Sequence, residues 1–270
     1  MPLKKPYPTK KINKLKKILS ELKSVVVAFS GGVDSSVLLL MAQQVLGKNV
    51  LAITIDSDFV TREELVQAKK LAKKKGIRTR IIRREVLENK KLKNNPRQRC
   101  YFCKKAIMKE MLKIAQKQGA CWVVEGSNAD DAKCFRPGKR ALAELGIKSP
   151  LAWAGLTKAE VRSLAKQLGL DSWNKPSSSC LATRFPYGSK LSEKKLQQAA
   201  QAEKIIRELG FAQVRVRVHE ETARIEVEKH KVNKLLKLID QRLIRHFKKL
   251  GYEHVCIDAA GYKFGSMDTY

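Results

Sequence analysis

From residue 9 to 23 the apolar positions Ile12, Leu15, Ile18, Leu19 and Leu22 recur at helical spacing among lysines, which predicts a basic amphipathic helix. The unbroken apolar run 24–29 then reads as a buried strand, and Val37–Val45 as an apolar helix. A second strand at 50–56, a helix at 62–75 ending near Gly76, a third strand at Arg78–Ile82, a helix at 100–118 and a fourth strand at Cys121–Glu125 follow. Strands that alternate with helices of this length imply an α/β fold, a parallel doubly wound sheet covered on both faces. Such sheets bind ligands beyond the carboxyl ends of their strands. Ser30, Ser57 and Gly126 fall at those ends and are expected to converge on one pocket.

After about residue 185 the pattern changes. A helix at 191–209, short alternating strands at Gln213–Val218 and Arg224–Glu228, a helix at 231–250 and a strand near 254–258 predict a smaller α+β module. Phe185-Pro186-Tyr187-Gly188 is the expected hinge, so the chain divides into residues 1–185 and 186–270.

Ser30-Gly31-Gly32-Val33-Asp34-Ser35-Ser36 lies where the first strand empties into its helix. Gly31 and Gly32 let a ligand approach the main chain. The N–H groups of the first helical turn and the hydroxyls of Ser30, Ser35 and Ser36 make an anion site, with the helix dipole behind them. Asp34 adds a carboxylate able to hold Mg²⁺ on bound phosphates. The glycine spacing is not that of the Walker loop.

The 270 residues carry a net charge of +30 and six cysteines. Residues 69–105 hold 16 Lys/Arg against two acids, Glu85 and Glu88. That balance suits RNA or a phosphorylated small molecule, or a solvated basic surface. No run of about 18 apolar residues predicts a membrane span, and no secretory signal is read, so a cytoplasmic protein with reduced thiols is expected.

Cys100-Tyr101-Phe102-Cys103 places two thiols at a helix start, and Cys180 follows in a loop. Three thiolates suit a [4Fe–4S] cluster with one open iron, or zinc with one open position. A Cys-x-x-Cys disulfide is the competing chemistry. Cys121, Cys134 and Cys256 are expected to be core residues.

Seven segments then run in order with that loop. They are Glu125-Gly126-Ser127-Asn128-Ala129-Asp130-Asp131; Arg136-Pro137-Gly138; Ser149-Pro150-Leu151; Gly155–Arg162; Trp173–Pro176 with Cys180–Gly188; Arg215–His219; and Asp258–Tyr262 leading to Phe264–Met267. Together they resemble the LarE family of PP-loop ATP pyrophosphatases over nearly the whole chain. The resemblance implies an adenine-nucleotide α-hydrolase-like fold, with a C-terminal substrate-binding and oligomerisation module. It implies a sulfur transferase that adenylates a carboxylate of pyridinium-3,5-biscarboxylic acid mononucleotide and replaces its oxygen with sulfur, for the nickel-pincer cofactor. By resemblance, ATP is held by Ser30, Gly31, Gly32, Asp34, Ser35, Ser36, Ser57, Gly126 and Asn128, Mg²⁺ by Asp34, and the substrate phosphate by Arg184, Arg215 and Arg217. Asp34 and Cys180 are the implied catalytic residues.

In one branch of the family the cysteine matching Cys180 gives up its own sulfur. In another, three cysteines, here Cys100, Cys103 and Cys180, hold a [4Fe–4S] cluster. This sequence resembles the cluster branch. A sulfur donor and a homo-oligomer are further implied partners. Glu203 and Glu226 are metal-ligand candidates against a reading as solvated surface carboxylates. A PP-loop tRNA thiolase with a three-cysteine cluster is the alternative, and its partner would be RNA.

Overall fold

The computed structural model describes residues 9–133, 137–176, 178–263 and 265–267. In chain order its elements are α1 (Thr9–Leu22), β1 (Val25–Ala28), α2 (Val33–Leu46), β2 (Val50–Ser57), α3 (Arg62–Lys74), β3 (Thr79–Arg84), α4 (Lys90–Lys93), α5 (Arg99–Lys117) and β4 (Trp122–Val124). Then come α6 (Pro137–Glu144), α7 (Pro150–Trp153), α8 (Lys158–Gln167), α9 (Glu193–Glu208), β5 (Val214–His219), β6 (Thr222–Val227), α10 (Val232–Leu238), α11 (Gln241–Leu250) and β7 (His254–Ile257). Cys134, Arg136 and Phe264, named above, lie outside the described residues.

The chain forms two compact units: residues 1–56, 62–84 and 100–175, and residues 57–61, 85–99 and 176–270. The first unit is the α/β sheet that the alternation predicts. Its strand order is β3-β2-β1-β4, with β1 parallel to both neighbours. Alternation along β1 feeds two cores. Val25 and Val27 join Leu15 and Leu19 of α1, Leu38 and Leu39 of α2 and Val161 and Leu164 of α8, whereas Val26 joins Ile53, Ile82, Met108 and Met111 on the opposite face. Burial on both faces is why β1 reads as continuously apolar.

The second unit holds a sheet of order β5-β6-β7, with β5 antiparallel and β7 parallel to β6. Val214, Val216 and Val218 are buried beside α9, whose Leu196, Ala199, Ala202 and Ile206 form its apolar face. Segment 85–99 belongs here because Asn95 staples it. Buried Asn95 donates from Nδ2 to the carbonyls of Phe185 (3.1 Å) and Pro186 (2.7 Å), and its own carbonyl accepts from Gly188 N at 3.1 Å.

Three expectations are corrected. The helix after the loop begins at Val33, not Val37, because the serines form its first turn. The single helix foreseen at 231–250 is two: Ile239 is extended, and Asp240 Oδ1 caps the second by accepting from Leu243 N at 2.7 Å. Cys121 and Cys256 are exposed rather than core residues, one just before β4 and the other outward-facing on the edge strand β7. Among the described residues no helix is long and apolar enough to cross a membrane.

Candidate active site

The loop at 30–32 is built as an anion cradle. Gly31 has φ +76°, and a Cβ there would stand 3.1 Å from the Ala68 Cβ of α3, so both conformation and space favour glycine. Gly32 is the N-cap of α2 and offers no side-chain cap, which leaves the first-turn N–H groups to a ligand. Ser35 Oγ donates to Gly32 O (3.1 Å) and accepts from Ser30 N (3.3 Å), and it lies 3.1 Å from Ser30 Oγ. These bonds fix the turn. Ser36 Oγ is fully buried and has no hydrogen-bond partner among the described residues.

Gly126 follows β4 and crosses the start of α2. A Cβ there would lie 2.8 Å from Ser35 N, against backbone that cannot move aside. Gly126→Ala should therefore cost about 1–3 kcal/mol of stability through overpacking and weaken nucleotide binding. Thermal denaturation with and without ATP checks this, and an unshifted melting temperature would refute it. Ser57 ends β2 and is partly exposed.

Both oxygens of Asp34 are engaged. Asn128 Nδ2 donates to Oδ1 at 3.2 Å, and Lys158 Nζ forms an ion pair with Oδ2. Asn128 is itself buried, its Oδ1 accepting from Asp130 N (3.0 Å) and Asp131 N (3.3 Å). Lys158 opens α8, where its N–H donates to Asp130 Oδ2 at 2.8 Å. Thr157 and Glu160 form a capping box there, and Glu160 pairs with Lys11 at 2.8 Å. The cradle fits the phosphates of ATP, and Asp34 would supply one carboxylate oxygen to a bound Mg²⁺.

Cys100 and Cys103 stand one turn apart at the start of α5, the first exposed and the second half-buried. Two contacts that the sequence did not reveal hold this turn. Lys104 pairs with Glu125 Oε2 at 3.5 Å, while Glu125 Oε1 accepts from Ser127 N (3.0 Å) and Ser149 Oγ (2.7 Å). Tyr101 Oη donates to Glu144 of α6 at 2.7 Å and accepts from Lys105 at 2.7 Å. Hydrogen bonds from Lys105, then Tyr101 and Arg140, push the Glu144 carboxyl down to about 2.

In the second unit, Cys180 precedes a tight helical turn at 181–184. Leu181 N donates to Phe59 O at 3.1 Å, and Cys180 O accepts from Thr183 Oγ1 at 2.8 Å. Arg184 is the hub of this loop. Its Nη1 donates to Ser179 O (2.9 Å), Ser179 Oγ (2.7 Å) and Thr183 Oγ1 (3.0 Å), and its Nε and Nη2 grip Glu203 at 2.7 and 3.0 Å. Arg215 and Arg217 share one face of β5, as a spacing of two requires, and stand opposite Glu226 and Arg224. Arg217 donates to Glu226 (2.9 Å), Thr183 O (2.9 Å) and Ser266 Oγ (3.1 Å). Burial, then the neighbouring charge of Arg184, pushes the Arg215 guanidinium down to about 10.

Glu203 and Glu226 are fully buried partners of these arginines rather than solvated surface carboxylates. Three buried guanidiniums against two buried carboxylates leave an excess of positive charge, a setting that favours an anion. Within either unit, no three His, Cys, Asp or Glu side chains gather as a metal site among the described residues.

A sequence model described as NAD synthase matches residues 9–121, the segment carrying the cradle. A protein of Lactiplantibacillus plantarum named pyridinium-3,5-bisthiocarboxylic acid mononucleotide synthase is 38% identical over 93% of this chain and 91% of its own. An uncharacterized protein of Synechocystis is 37% identical over 96% and 97%, and one of Methanocaldococcus jannaschii is 32% identical over 94% and 98%. Near-complete coverage of both chains, together with the glycine-floored cradle and its carboxylate, establishes that the chain belongs to the LarE family of ATP-dependent PP-loop enzymes.

Proposed function

We propose that this protein is the sulfur transferase that activates a carboxylate of pyridinium-3,5-biscarboxylic acid mononucleotide with ATP and converts it to a thiocarboxylate, in the cytoplasm. The observation that carries the reading is that one chain joins a nucleotide cradle bearing Asp34 to a buried arginine cluster with surplus positive charge. The cradle, with Ser30, Gly31, Gly32, Ser35, Ser36, Ser57, Gly126 and Asn128, would hold ATP. Arg184, Arg215 and Arg217 would hold the phosphate of the substrate.

A carboxylate is a poor electrophile. Its oxygen attacks the α-phosphorus, the bond to the β-phosphate oxygen breaks, and pyrophosphate leaves. Sulfur then attacks the acyl carbon, and AMP departs with the original oxygen. The first-turn N–H groups of α2, which no side chain caps, would face the charge that builds on the leaving pyrophosphate. Bound Mg²⁺ would neutralise the phosphate oxygens there.

Cys100 and Cys103 fit two adjacent ligands of a [4Fe–4S] cluster, and Cys180, on a loop whose backbone is pinned at both neighbours, is the third candidate. A cluster held there would supply sulfur in a deprotonated, nucleophilic form at neutral pH. An external donor of sulfide-level sulfur and a homo-oligomeric form are the remaining partners of this reading.

The test measures substrate-dependent pyrophosphate release with the pyridinium nucleotide and with tRNA, on anaerobically reconstituted protein. Release with the nucleotide alone, together with about four irons per chain, is expected. Release driven by tRNA would transfer the reading to an RNA thiolase, which the +30 charge favours. Iron-free, colourless protein that still inserts sulfur would remove the cluster.

A further inference from the structure

Lys158 spans two networks that serve the same carboxylate. Its backbone is fixed at the head of α8 by Asp130 and the Thr157 capping box, while its ammonium pairs with Asp34 Oδ2. Asn128 takes the other oxygen, so both acceptors of Asp34 are occupied before any cation arrives. Neither partner is deeply buried: Lys158 and Asp34 are 29% and 23% exposed, which leaves the ammonium room to move. A divalent cation on Asp34 would stand within a few ångströms of this ammonium, and two positive groups that close repel strongly in a half-shielded site. Bound nucleotide reverses the balance. ATP brings about four negative charges and Mg²⁺ only two positive ones, so a lysine displaced from Asp34 gains phosphate oxygens within reach of its flexible stem.

We propose that Lys158 is an exchange cation. It is the counter-ion of Asp34 when nucleotide is absent, and it transfers to the phosphates when Mg²⁺ and ATP enter together. The ion pair thus keeps Asp34 from taking a metal without its nucleotide. The same side chain then adds positive charge where pyrophosphate departs, and Lys158 touches the reacting phosphates only in the loaded state. This role rests on the nucleotide-activating reading of the cradle but not on the identity of the sulfur acceptor.

The experiment compares wild type, Lys158→Met and Lys158→Arg in two readouts, Mn²⁺ affinity of the nucleotide-free protein and kcat for pyrophosphate release. Lys158→Met should bind Mn²⁺ about tenfold more tightly or better, because a competing charge a few ångströms away is gone. Its kcat should fall about 100-fold, a size typical of lost transition-state charge stabilisation. Lys158→Arg should keep the wild-type Mn²⁺ affinity and recover part of kcat. Unchanged or weaker Mn²⁺ binding in Lys158→Met, with its melting temperature preserved, would overturn the exchange. Opposite movements of the two readouts cannot come from a merely structural lysine, since a disordered site loses both. Mn²⁺ binding needs no pyridinium substrate, so a failure here is distinct from a failure of the sulfur-transfer assignment.

Discussion

Asp34→Asn should lower pyrophosphate release by about a thousandfold or more while leaving the protein folded. Asparagine keeps the shape of the side chain and an oxygen to accept from Asn128, so the first turn of α2 keeps its geometry. What disappears is the negative charge. On the proposed reading the cradle would then have no anionic ligand for Mg²⁺, and the phosphates would enter the transition state with only N–H groups and Lys158 to offset them. Metal-ion stabilisation of a phosphoryl oxygen is worth several kcal/mol, and about 4 kcal/mol is a thousandfold in rate. Stability should change by less than about 1 kcal/mol, because the Lys158–Asp34 pair is partly solvent-exposed and such pairs contribute little. The check is pyrophosphate release at saturating ATP and Mg²⁺ beside a thermal melt. Release at the wild-type rate would refute the metal-binding role proposed for Asp34.

The contrast between Asp34 and Lys158 marks what the chain discloses before it folds. The cradle was legible because its causes are local: an apolar strand, two glycines and a helix start occupy consecutive positions. The paired placement of Arg215 and Arg217 was legible for the same reason, since a strand puts alternate residues on one face. Lys158 stands 124 positions from the carboxylate it neutralises, and no spacing rule reaches that far.

The glutamates failed in an instructive direction. Glu203 sits on a helix between lysine- and glutamine-rich turns, which reads as solvated, yet Arg184, distant in sequence, turns it inward. Cys121 and Cys256 failed the opposite way, because burial tendency is an average: Cys121 lies just before β4, and the edge strand β7 exposes alternate side chains whatever their type. Helix 231–250 was misread for a third reason: Asp240 inside a long polar-apolar pattern is a cap signal that periodicity alone overrides.

Glu203→Ala should be the most destabilising single change in the second unit, costing about 3–5 kcal/mol, because it leaves buried cations without their counter-charge. The side chains of Arg184 and Glu203 are 3% and 1% exposed, so water cannot take over. The carboxylate also accepts from Val216 N at 3.1 Å and pairs with Arg207 at 3.3 Å, and both bonds go with it. A domain with about 5–15 kcal/mol in hand loses a large fraction of its margin.

Glu203→Gln should fall between, since its amide oxygen can still accept from Val216 N while its NH₂ faces Arg184 as a second donor. The pH dependence carries a sign. Burial alone would raise the Glu203 carboxyl, but the charge and hydrogen bonds of Arg184 override it and hold it below its ordinary 4.5. A group depressed in the folded state contributes stability that is full above its unfolded value and fades as pH falls through the folded one. Wild-type stability should therefore drop below about pH 4.5 more steeply than that of Glu203→Gln, in urea titrations at pH 7 and at pH 3.5.

The damage should also reach Cys180. Arg184 gathers the carbonyls and hydroxyls of residues 179–183, so a hub released from Glu203 frees the loop that carries the thiol. Alkylation of Cys180 should accelerate in Glu203→Ala under conditions where the protein is still folded. A variant that melts with the wild type and alkylates at its rate would mean that the buried arginines are held by something other than this carboxylate.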